Sequence, residues 1–431
     1  MKISIIGGTG YVGLCTGLGF AIKGHHVICV GRSKEKIGKL KSGESPIYEP
    51  LVDKHLKEVL DKRNFEPTTE MDHAIKNSDV VFISVGTPSK EDGSIDATDI
   101  ENVSMEIGKA MKERDSYFVV VVKSTVVPET TEKLVIPSLE KSSGKKAGKD
   151  FGVCMNPEFL REGKALDDFL NPDRIIIGEL DKRSGGLVEE LYKNFNAPIL
   201  RTNMKTAEMI KYVSNSFLAA KISFTNEIGN ICKILGIDTY GVMEGVGMDK
   251  RIGKQFLQAG VGWGGSCFPK DVAALRAKAK QLGYQPRILD VITETNDEQP
   301  FKLIEILKKK IPLIKNKKIA VLGLAFKADT DDIRETKATP IVQCLLKDGA
   351  SVVAYDPKAM ENFKVLFPKI NCAVSAAEAI KESDACLILT DWEEFKRLSD
   401  KDFGQMKSKI IIEGRKILDK KKVSGFEGIC W

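Results

Sequence analysis

The chain has 431 residues, of which 42% are hydrophobic and 29% are charged, and it contains 37 glycines and 16 prolines. This composition is typical of a globular protein of about three domains, and it excludes a collagen, a coiled-coil rod and a disordered chain. The formal net charge is +6, and the basic residues occur in short runs, such as Lys308 to Lys310, among acidic neighbours. We therefore expect solvated charged faces and no nucleic-acid partner.

One segment near the start has the length of a membrane span. The stretch between Lys2 and Lys23 holds 20 uncharged residues, but six of them are glycines. Such a glycine content is typical of a nucleotide-binding loop rather than of a membrane span or a signal peptide. The sequence therefore predicts no membrane partner.

Nine cysteines are scattered singly along the chain, and there are only four histidines. An odd number of isolated cysteines predicts neither a disulfide framework nor a zinc site, so we expect no metal. Unpaired thiols are typical of a reducing compartment, which predicts a cytoplasmic protein.

Short apolar runs separated by helix-period stretches predict a parallel sheet buried on both faces. In the first part of the chain these runs are Ile3 to Ile6, Val27 to Val30, Val80 to Val85, Phe118 to Val122, Gly152 to Met155 and Arg174 to Ile177. Helical spacing of apolar residues predicts one long helix from about Thr206 to Leu235, and a second helix from about Val272. Strand-like runs resume at Ile319 to Leu322, Val352 to Tyr355, Ala385 to Leu389 and Ile410 to Ile412.

The predicted fold class is therefore α/β, with two Rossmann-like parallel-sheet domains joined by a long central helix. We place the three parts at residues 1–200, 201–300 and 301–431. A weak internal repeat supports two similar ends, because the strand at Lys2 and the strand at Lys318 are each followed, at similar spacing, by a glycine, a helix and a second strand. The central helix carries more apolar positions than one domain can cover, which predicts a homodimer through this helix. Examples are Phe217, Phe224, Ile228 and Ile231.

A glycine-rich turn follows the first predicted strand. Gly8, Gly10 and Gly13 have the spacing of a dinucleotide-binding fingerprint, between a strand and a helix. Gly8 allows the tight turn, Gly10 lets the pyrophosphate approach, and Gly13 lets the helix pack on the strand. Tyr11 and Val12 complete the turn, whose amides and helix dipole favour phosphate.

The second strand departs from the NAD pattern, which ends in an acid that binds the ribose 2′-hydroxyl. Here the strand ends at Gly31, followed by Arg32, with Lys36 close behind. An arginine in place of the acid can accommodate a 2′-phosphate, so NADP is predicted as an alternative to NAD.

Cys267 lies in a glycine-lined loop, two residues before Pro269 and three before Lys270. Because proline suits the first turn of a helix, we expect the cysteine at a helix N-terminus. A helix N-terminus and a nearby lysine both favour the thiolate, so Cys267 is predicted to be a nucleophile. A dinucleotide site combined with a nucleophilic cysteine predicts two hydride transfers per substrate, through a thiohemiacetal and a thioester that water then hydrolyses.

Four further residues form two pairs with a spacing of four. Glu158 and Glu162 follow Pro157, which predicts a shared helical face in a first turn. Lys211 and Asn215 lie on the long helix, where a solvent-facing pair is the default expectation.

Several motifs carry a resemblance to a known family, essentially from end to end. They are the glycine turn ending at Gly13, Lys123-Ser-Thr125, Asn156-Pro-Glu-Phe-Leu-Arg-Glu162, Lys211-Tyr-Val-Ser-Asn215, Gly264-Gly-Ser-Cys-Phe-Pro-Lys-Asp271, Phe326-Lys327 and Thr330-Asp-Asp-Ile-Arg334. By these motifs the chain resembles the nucleotide-sugar 6-dehydrogenases. The resemblance implies an NAD-binding domain, a dimerising central helix and a UDP-sugar-binding domain. It also implies that UDP-glucose, two NAD and water give UDP-glucuronate and two NADH.

The resemblance also implies residue roles. Glu158 would be the base for the hydrolytic water, Lys211 and Asn215 would stabilise the oxyanion, and Asp271 would handle protons. The remaining implied cofactor contacts are Thr87, Thr125, Glu162 and Arg334, with Thr125 also at the reacting centre. The implied substrate contacts are Glu158, Phe159, Leu160, Arg161, Glu162, Lys211, Asn215, Arg251 (from the neighbouring subunit), Phe256, Leu257, Gln258, Ala259, Gly260, Gly264 and Lys327.

Three alternatives stay open at this stage. Within the class, the substrate could be GDP-mannose or a UDP-N-acetylhexosamine. A single-step β-hydroxyacid dehydrogenase shares a Rossmann domain with a long helix, although Cys267 disfavours it. A nucleotide-sugar-binding module without activity is the third alternative, which the intact set of Cys267, Lys211, Asn215 and Asp271 disfavours.

Overall fold

In the computed structural model, which describes all 431 residues, the chain forms two compact units. The first unit comprises Met1–Ser214 and Ala273–Lys278, and the second comprises Asn215–Val272 and Ala279–Trp431. Each unit contains its own sheet with helices around it.

The first unit is built on an eight-stranded sheet in the order β3-β2-β1-β4-β5-β6-β7-β8. Its strands are β1 (Lys2–Ile6), β2 (His26–Val30), β3 (Phe65–Thr68), β4 (Val80–Ile83), β5 (Val119–Val122), β6 (Gly152–Met155), β7 (Ile175–Glu179) and β8 (Ile199–Asn203). The first six strands are parallel and follow the dinucleotide-binding order 3-2-1-4-5-6. β7 runs antiparallel to β6, so the sheet is parallel only in part.

Eight shorter helices accompany this sheet. They are α1 (Tyr11–Ile22), α2 (Lys34–Lys41), α3 (Val52–Asp61), α4 (Met71–Lys76), α5 (Thr98–Met111), α6 (Ile136–Ser143), α7 (Ala165–Leu170) and α8 (Lys182–Leu191). A π-helical turn, Thr131–Val135, leads into α6. The long helix α9 (Met204–Leu235) follows β8, with residues 204–214 in the first unit and 215–235 in the second.

Alternate residues of the central strands pack on opposite faces of the first sheet. Val119 and Val121 belong to one hydrophobic core, whereas Val120 and Val122 belong to the other, and all four are fully buried. A strand covered on both faces needs apolar residues at every position, which is why it is a run of valines. The predicted burial of both faces is therefore confirmed.

The second unit contains a six-stranded parallel sheet in the order β11-β10-β9-β12-β13-β14. Its strands are β9 (Lys318–Leu322), β10 (Ser351–Tyr355), β11 (Asn371–Cys372), β12 (Ala385–Ile388), β13 (Ile411–Glu413) and β14 (Phe426–Gly428). The helices are α10 (Thr239–Gly247), α11 (Phe268–Gln281), α12 (Arg287–Lys310), α13 (Ala338–Lys347), α14 (Met360–Leu366), α15 (Ala376–Ile380) and α16 (Asp400–Phe403), with a 3₁₀ turn at Phe395–Arg397. In the first sheet β1 lies between β2 and β4, and in the second sheet β9 lies between β10 and β12. The two sheets therefore begin with the same strand order, and the repeat in the sequence reflects a repeated fold.

The predicted α/β fold with a sheet at each end and a long central helix is confirmed. All ten predicted strands form, within about two residues at each end. The division into parts at residues 200 and 300 stays a prediction. None of the helices combines the length and the apolar character that crossing a membrane requires.

Candidate active site

The glycine turn between β1 and α1 has no room for side chains at three of its positions. A Cβ atom on Gly7 would lie 2.3 Å from Ser84 O, and one on Gly13 would lie 2.4 Å from Gly7 O. A Cβ on Gly8 would lie 2.5 Å from Cys29 Sγ. The close packing of strand, turn and helix therefore requires glycine, and Gly7, with φ of +86°, also adopts a backbone conformation that favours it.

Gly10 is the residue before α1, and no side chain caps that helix. A Cβ on Gly10 would lie 3.4 Å from Gly7 O, so the turn passes close to the start of the helix. The first amides of α1, at Tyr11, Val12 and Gly13, have no side-chain cap and lie at the positive end of the helix dipole. This arrangement fits the pyrophosphate of NAD. The side chain of Tyr11 has a separate partner, because its hydroxyl accepts a hydrogen bond from the Gly163 amide at 2.8 Å.

The residues after β2 have distinct surroundings. Gly31 is buried, and a Cβ atom there would lie 2.4 Å from Thr9 Cγ2. Arg32 is largely exposed, and its Nη1 lies 3.0 Å from Asp99 Oδ1. The exposed Lys36 donates its backbone N–H to Ser33 Oγ, which caps α2.

Thr87 and Thr125 follow the carboxyl ends of β4 and β5, two neighbouring strands of the first sheet. The Thr87 hydroxyl donates a hydrogen bond of 2.9 Å to Thr125 O. The two predicted contacts are therefore adjacent, at the edge of the sheet where parallel α/β sheets bind ligands.

Glu158 and Lys211 form a buried ion pair in the first unit. Lys211 Nζ lies 2.8 Å from Glu158 Oε1, and the side chains are only 3% and 6% exposed. The second carboxylate oxygen of Glu158 accepts the Leu160 N–H at 2.6 Å. Burial by itself would raise the pKa of Glu158, but the Lys211 ammonium, the Leu160 N–H and the charge of Lys123 together hold that pKa below its ordinary value. The carboxylate is therefore ionised in spite of its burial.

The prediction that Glu158 and Glu162 share a helical face is wrong. Residues 156–161 after β6 have no regular secondary structure, and α7 begins only at Ala165. The Glu158 carboxylate binds Lys211 and the Leu160 N–H of its own segment, and such side-chain bonds to the backbone compete with helix formation. Glu162 is half-buried in the following turn.

The other predicted contacts of this segment differ in exposure. The Phe159 ring stacks beneath the Arg174 guanidinium, with 3.9 Å between the guanidinium carbon and the ring centre, and Lys211 Nζ lies 5.5 Å from the same centre. Arg161 is mostly exposed and pairs with Asp168 at 2.5 Å. Lys211 and Asn215 do not face the solvent, as helical spacing alone would suggest by default, but are both buried.

A buried network beside this pair was not assigned a role from the sequence. Lys123 Nζ donates to Asn156 Oδ1 at 2.9 Å and to the Tyr192 hydroxyl at 3.4 Å, and the Tyr192 hydroxyl donates to the same Asn156 oxygen at 2.6 Å. Burial lowers the pKa of Lys123 to about 7. The signal in the sequence was a lysine directly after the all-valine strand β5, where a surface lysine is not expected.

In the second unit, Cys267 directly precedes α11, as predicted. Its carbonyl accepts the Asp271 N–H at 2.9 Å, which closes the first turn, and its Sγ lies 3.6 Å from Ser266 Oγ. The thiol is partly exposed, and Pro269 lies in the first turn of the helix.

Asp271 lies four residues after Cys267 and is 1% exposed. One carboxylate oxygen accepts the Asn215 side-chain amide at 2.6 Å, and the other accepts Lys270 Nζ at 2.6 Å. A buried carboxylate with both oxygens bound keeps Asn215 and Lys270 in fixed positions on either side of it.

The loop that carries Cys267 packs against the segment after β9. A Cβ on Gly264 would lie 2.2 Å from Glu335 O, and a Cβ on Gly265 would lie 2.7 Å from the Phe326 ring. The Gly265 N–H donates to Arg334 O at 2.9 Å. The structure therefore brings the predicted Lys327 and Arg334 segment to the cysteine loop, while the Arg334 side chain is 63% exposed and pairs with Asp332.

The predicted substrate loop of residues 256–260 is mostly buried and hydrogen-bonded. Phe256 has φ of +63°, a strained conformation for an aromatic residue. Gly260 is enclosed by Gly414 and Arg415, and its N–H donates to Asn226 Oδ1 at 2.8 Å. Within the same loop, Leu257 and Ala259 are buried and Gln258 is exposed. Arg251 is 89% exposed and pairs with Asp249 of its own loop.

The candidate residues thus divide between the two units. The first unit holds the Thr87–Thr125 and Glu158–Lys211 pairs, and the second holds Asn215, Cys267, Asp271 and the Gly264 loop. No group of three or more His, Cys, Asp or Glu side chains could hold a metal ion.

Three family models match successive parts of the chain. Residues 1–196 match the NAD binding domain of the UDP-glucose/GDP-mannose dehydrogenase family, residues 205–298 match its central domain, and residues 320–420 match its UDP binding domain.

Individual relatives match along nearly the whole chain. The UDP-glucose 6-dehydrogenase of Haloferax volcanii is 43% identical over 100% of both chains. A UDP-glucose 6-dehydrogenase of Bacillus subtilis is 43% identical over 99% of this chain and 92% of its own. Among solved structures, a UDP-glucose dehydrogenase from Pyrobaculum islandicum is 36% identical with a TM-score of 0.94, over 100% of this chain and 98% of that one.

Proposed function

Because the chain belongs to the UDP-glucose/GDP-mannose dehydrogenase family, it is an NAD-dependent oxidoreductase acting on a CH–OH group, and we propose that its substrate is UDP-glucose. The product is then UDP-glucuronate, formed by two successive oxidations at the sixth carbon and one hydrolysis. Full-length relatives named as UDP-glucose 6-dehydrogenases support this substrate over GDP-mannose and the acetamido sugars.

The observation that carries the proposal is the setting of Cys267. The thiol is partly exposed at the start of α11, and the buried Asp271, which binds Asn215 and Lys270, lies one turn further along. A simple alcohol dehydrogenase does not need a thiol, whereas oxidation to the acid requires a covalent thioester or an equivalent. The helix N-terminus favours the thiolate that such a step uses.

Cys267 acts as the nucleophile in the second half of the reaction. Its sulfur adds to the aldehyde carbon, and the carbonyl oxygen takes up a proton to give a thiohemiacetal. Oxidation converts this adduct to a thioester, and water then adds to the acyl carbon, releasing the carboxylate and the thiolate. Lys211, through its ammonium group, and Asn215, through its amide, are proposed to stabilise the negative charge that develops on the substrate oxygen.

Two carboxylates serve the proton transfers. Asp271 keeps Asn215 oriented and holds Lys270, so it handles protons next to the nucleophile. Glu158 is ionised and buried, and it accepts the proton of the hydrolytic water. At the ends of β5 and β4, Thr125 is proposed to contact both the cofactor and the reacting centre, and Thr87 is proposed as a cofactor contact.

The first unit binds the cofactor through the amides of Tyr11 to Gly13. When bound, NAD supplies the acceptor for the hydride in each oxidation. Glu162 and Arg334 are proposed as further cofactor contacts. Phe159, Leu160, Arg161, Glu162, Lys327 and the loop of residues 256–260 are proposed as substrate contacts. The use of NADP, predicted from Arg32, is taken up below.

The protein is proposed to act as a homodimer through the central helix. Phe217, Phe224 and Ile231 on α9 are 66%, 56% and 48% exposed, whereas Ile228 is half-buried. Single exposed apolar residues are ordinary, but a row on one helix marks an interface. In such a dimer Arg251 would be available to the substrate of the other subunit. All nine cysteines are free, which supports a cytoplasmic location.

The test is a panel of nucleotide sugars with the purified enzyme and NAD. We expect turnover with UDP-glucose and two reduced cofactors per UDP-glucuronate formed. A ratio of one would support the single-step alternative, preference for UDP-N-acetylmannosamine or GDP-mannose would correct the substrate, and binding without turnover would indicate a sensing module.

A further inference from the structure

The end of β2 lacks the acid that commonly binds the ribose 2′-hydroxyl of NAD. Position 31 is glycine, and a Cβ atom there would lie 2.4 Å from Thr9 Cγ2 and 3.0 Å from Thr9 Oγ1. Thr9 belongs to the glycine turn between β1 and α1. An aspartate at position 31 would therefore require the Thr9 side chain to shift, and in the wild-type chain a carboxylate near the ribose has to come from another element.

Such a carboxylate is present on α5. Asp99 lies in the first turn of this helix, and its Oδ1 is 3.0 Å from Nη1 of Arg32. The side chains of Arg32 and Asp99 are 63% and 48% exposed, so an approaching ligand can reach both. An exposed ion pair of this kind is weak, and a phosphate that forms charge-assisted bonds to the guanidinium can replace the carboxylate.

Asp99 is the acidic residue that pairs with Arg32, because the acid nearest to Arg32 in the sequence has another partner. Glu35, the nearest acid in the sequence, pairs with Lys39 at 3.2 Å. Ser33 uses its hydroxyl to cap α2, where it accepts the Lys36 N–H at 3.2 Å. The exposed Lys34 and Lys36 add positive charge to the same segment.

We infer that Arg32 and Asp99 form the pair that selects between NAD and NADP, an inference that rests on the proposed function and deepens it. With the ion pair formed, Asp99 neutralises Arg32, and the site accepts the uncharged 2′-hydroxyl of NAD. With NADP, the guanidinium exchanges the Asp99 carboxylate for the 2′-phosphate. Asp99 thus acts through Arg32 as a positioning residue that limits the preference for the phosphorylated cofactor.

The experiment measures binding by calorimetry with two fragments, 5′-AMP and 2′,5′-ADP (adenosine 2′,5′-bisphosphate), which differ only in the 2′-phosphate. The selectivity ratio is the Kd for 5′-AMP divided by the Kd for 2′,5′-ADP. It is measured for the wild type, Arg32→Ala, Asp99→Asn and the double variant, at one fixed ionic strength because phosphate contacts are screened by salt.

Arg32→Ala is expected to lower the selectivity ratio about tenfold, the value of one charge-assisted hydrogen bond. Asp99→Asn is expected to raise it up to about fivefold, because the pair that competes with the phosphate is lost. In the Arg32→Ala background, Asp99→Asn is expected to leave the selectivity ratio unchanged. The matched controls are Glu101→Gln, which removes an equal charge from the same turn of α5, and Lys34→Ala, and both should leave the ratio within about twofold.

Two results would overturn the inference. One is a selectivity ratio that Arg32→Ala leaves unchanged. The other is an Asp99→Asn effect of the same size with and without Arg32, because Asp99 would then repel the phosphate directly and not act through the arginine. A wild type that binds neither fragment would instead overturn the proposed dinucleotide site, so the two failures are distinguishable.

Discussion

Lys123 provides a test of buried charge in the first unit. The ammonium group is enclosed by Asn156 and Tyr192, and burial lowers its pKa from 10.5 to about 7. The unfolded chain therefore holds more protons than the folded protein between these two pH values. Stability from this group is fully present above about pH 10.5, falls steadily as the pH is lowered from about 10.5 to about 7, and is lost below about 7.

The size of the effect follows from the two pKa values. The whole difference corresponds to about 5 kcal/mol. Between pH 7 and pH 9 the folded amine goes from half protonated to neutral while the unfolded one stays protonated, which amounts to about 2 kcal/mol. For units of this size, that change corresponds to a rise in melting temperature of about 4–8 °C.

Lys123→Met removes the titrating group and keeps a chain of similar length, and Asn156 Oδ1 still accepts the Tyr192 hydroxyl. We expect the melting temperature of the wild type minus that of the variant to rise by about 4–8 °C from pH 7 to pH 9. Only the difference between the two melting temperatures is diagnostic. Burial raises the pKa of Glu208 to about 7, so this carboxyl also titrates near pH 7, and its contribution to stability falls as the pH rises. Lys149→Met, at an exposed site, is the matched control and should show no such rise.

A difference between wild type and Lys123→Met that stays constant within about 1 °C over this pH range would refute the reasoning. It would mean that the Lys123 amine keeps its proton in the folded protein, with its charge stabilised by Glu158 in spite of burial.

Four further outcomes are expected. Cys267→Ser should stop at the aldehyde or form a slowly hydrolysed ester, and wild-type yields of acid from Cys267→Ala would exclude the covalent mechanism. Glu158→Gln should accumulate a substrate-sized adduct on Cys267, seen by mass spectrometry, because hydrolysis slows more than oxidation; normal turnover without an adduct would contradict its role as base. Gly13→Ala should abolish measurable 5′-ADP binding, because its Cβ would lie 2.4 Å from Gly7 O, whereas Gly38→Ala, which meets nothing within 4 Å, should bind normally and gain about 0.5–1 kcal/mol of stability. Light scattering at micromolar concentration should give about 95 kDa, twice the 47.5 kDa of one chain, and a monomeric mass would rule out the proposed interface.

The parts of the fold that could be predicted are those where burial alone determines residue type. The all-valine strand β5 is apolar throughout because both of its faces are covered, so its pattern is unambiguous. The strands that escaped prediction are less buried or less regular. β8 has no buried residue, and β3 contains Pro67 and Glu66.

The candidate site could be predicted only in part, because local spacing does not show which side chains bind each other. Glu158 and Glu162 have helical spacing, but Glu158 pairs with Lys211, which is distant in sequence, and residues 156–161 form no helix. The partner of Arg32 is likewise 67 residues away, on α5. Such tertiary contacts override local preference, and no pattern around either residue indicates them.

The contact between positions 9 and 31 restricts the order in which substitutions can accumulate. An acidic residue at position 31 would meet Thr9 before it could bind a ribose, so that replacement is expected to be harmful in the present background. A smaller residue at position 9 would remove the obstacle and make the same replacement acceptable. The two sites are therefore epistatic, and mutagenesis libraries that vary only one of them would miss the acidic variants that a paired library contains.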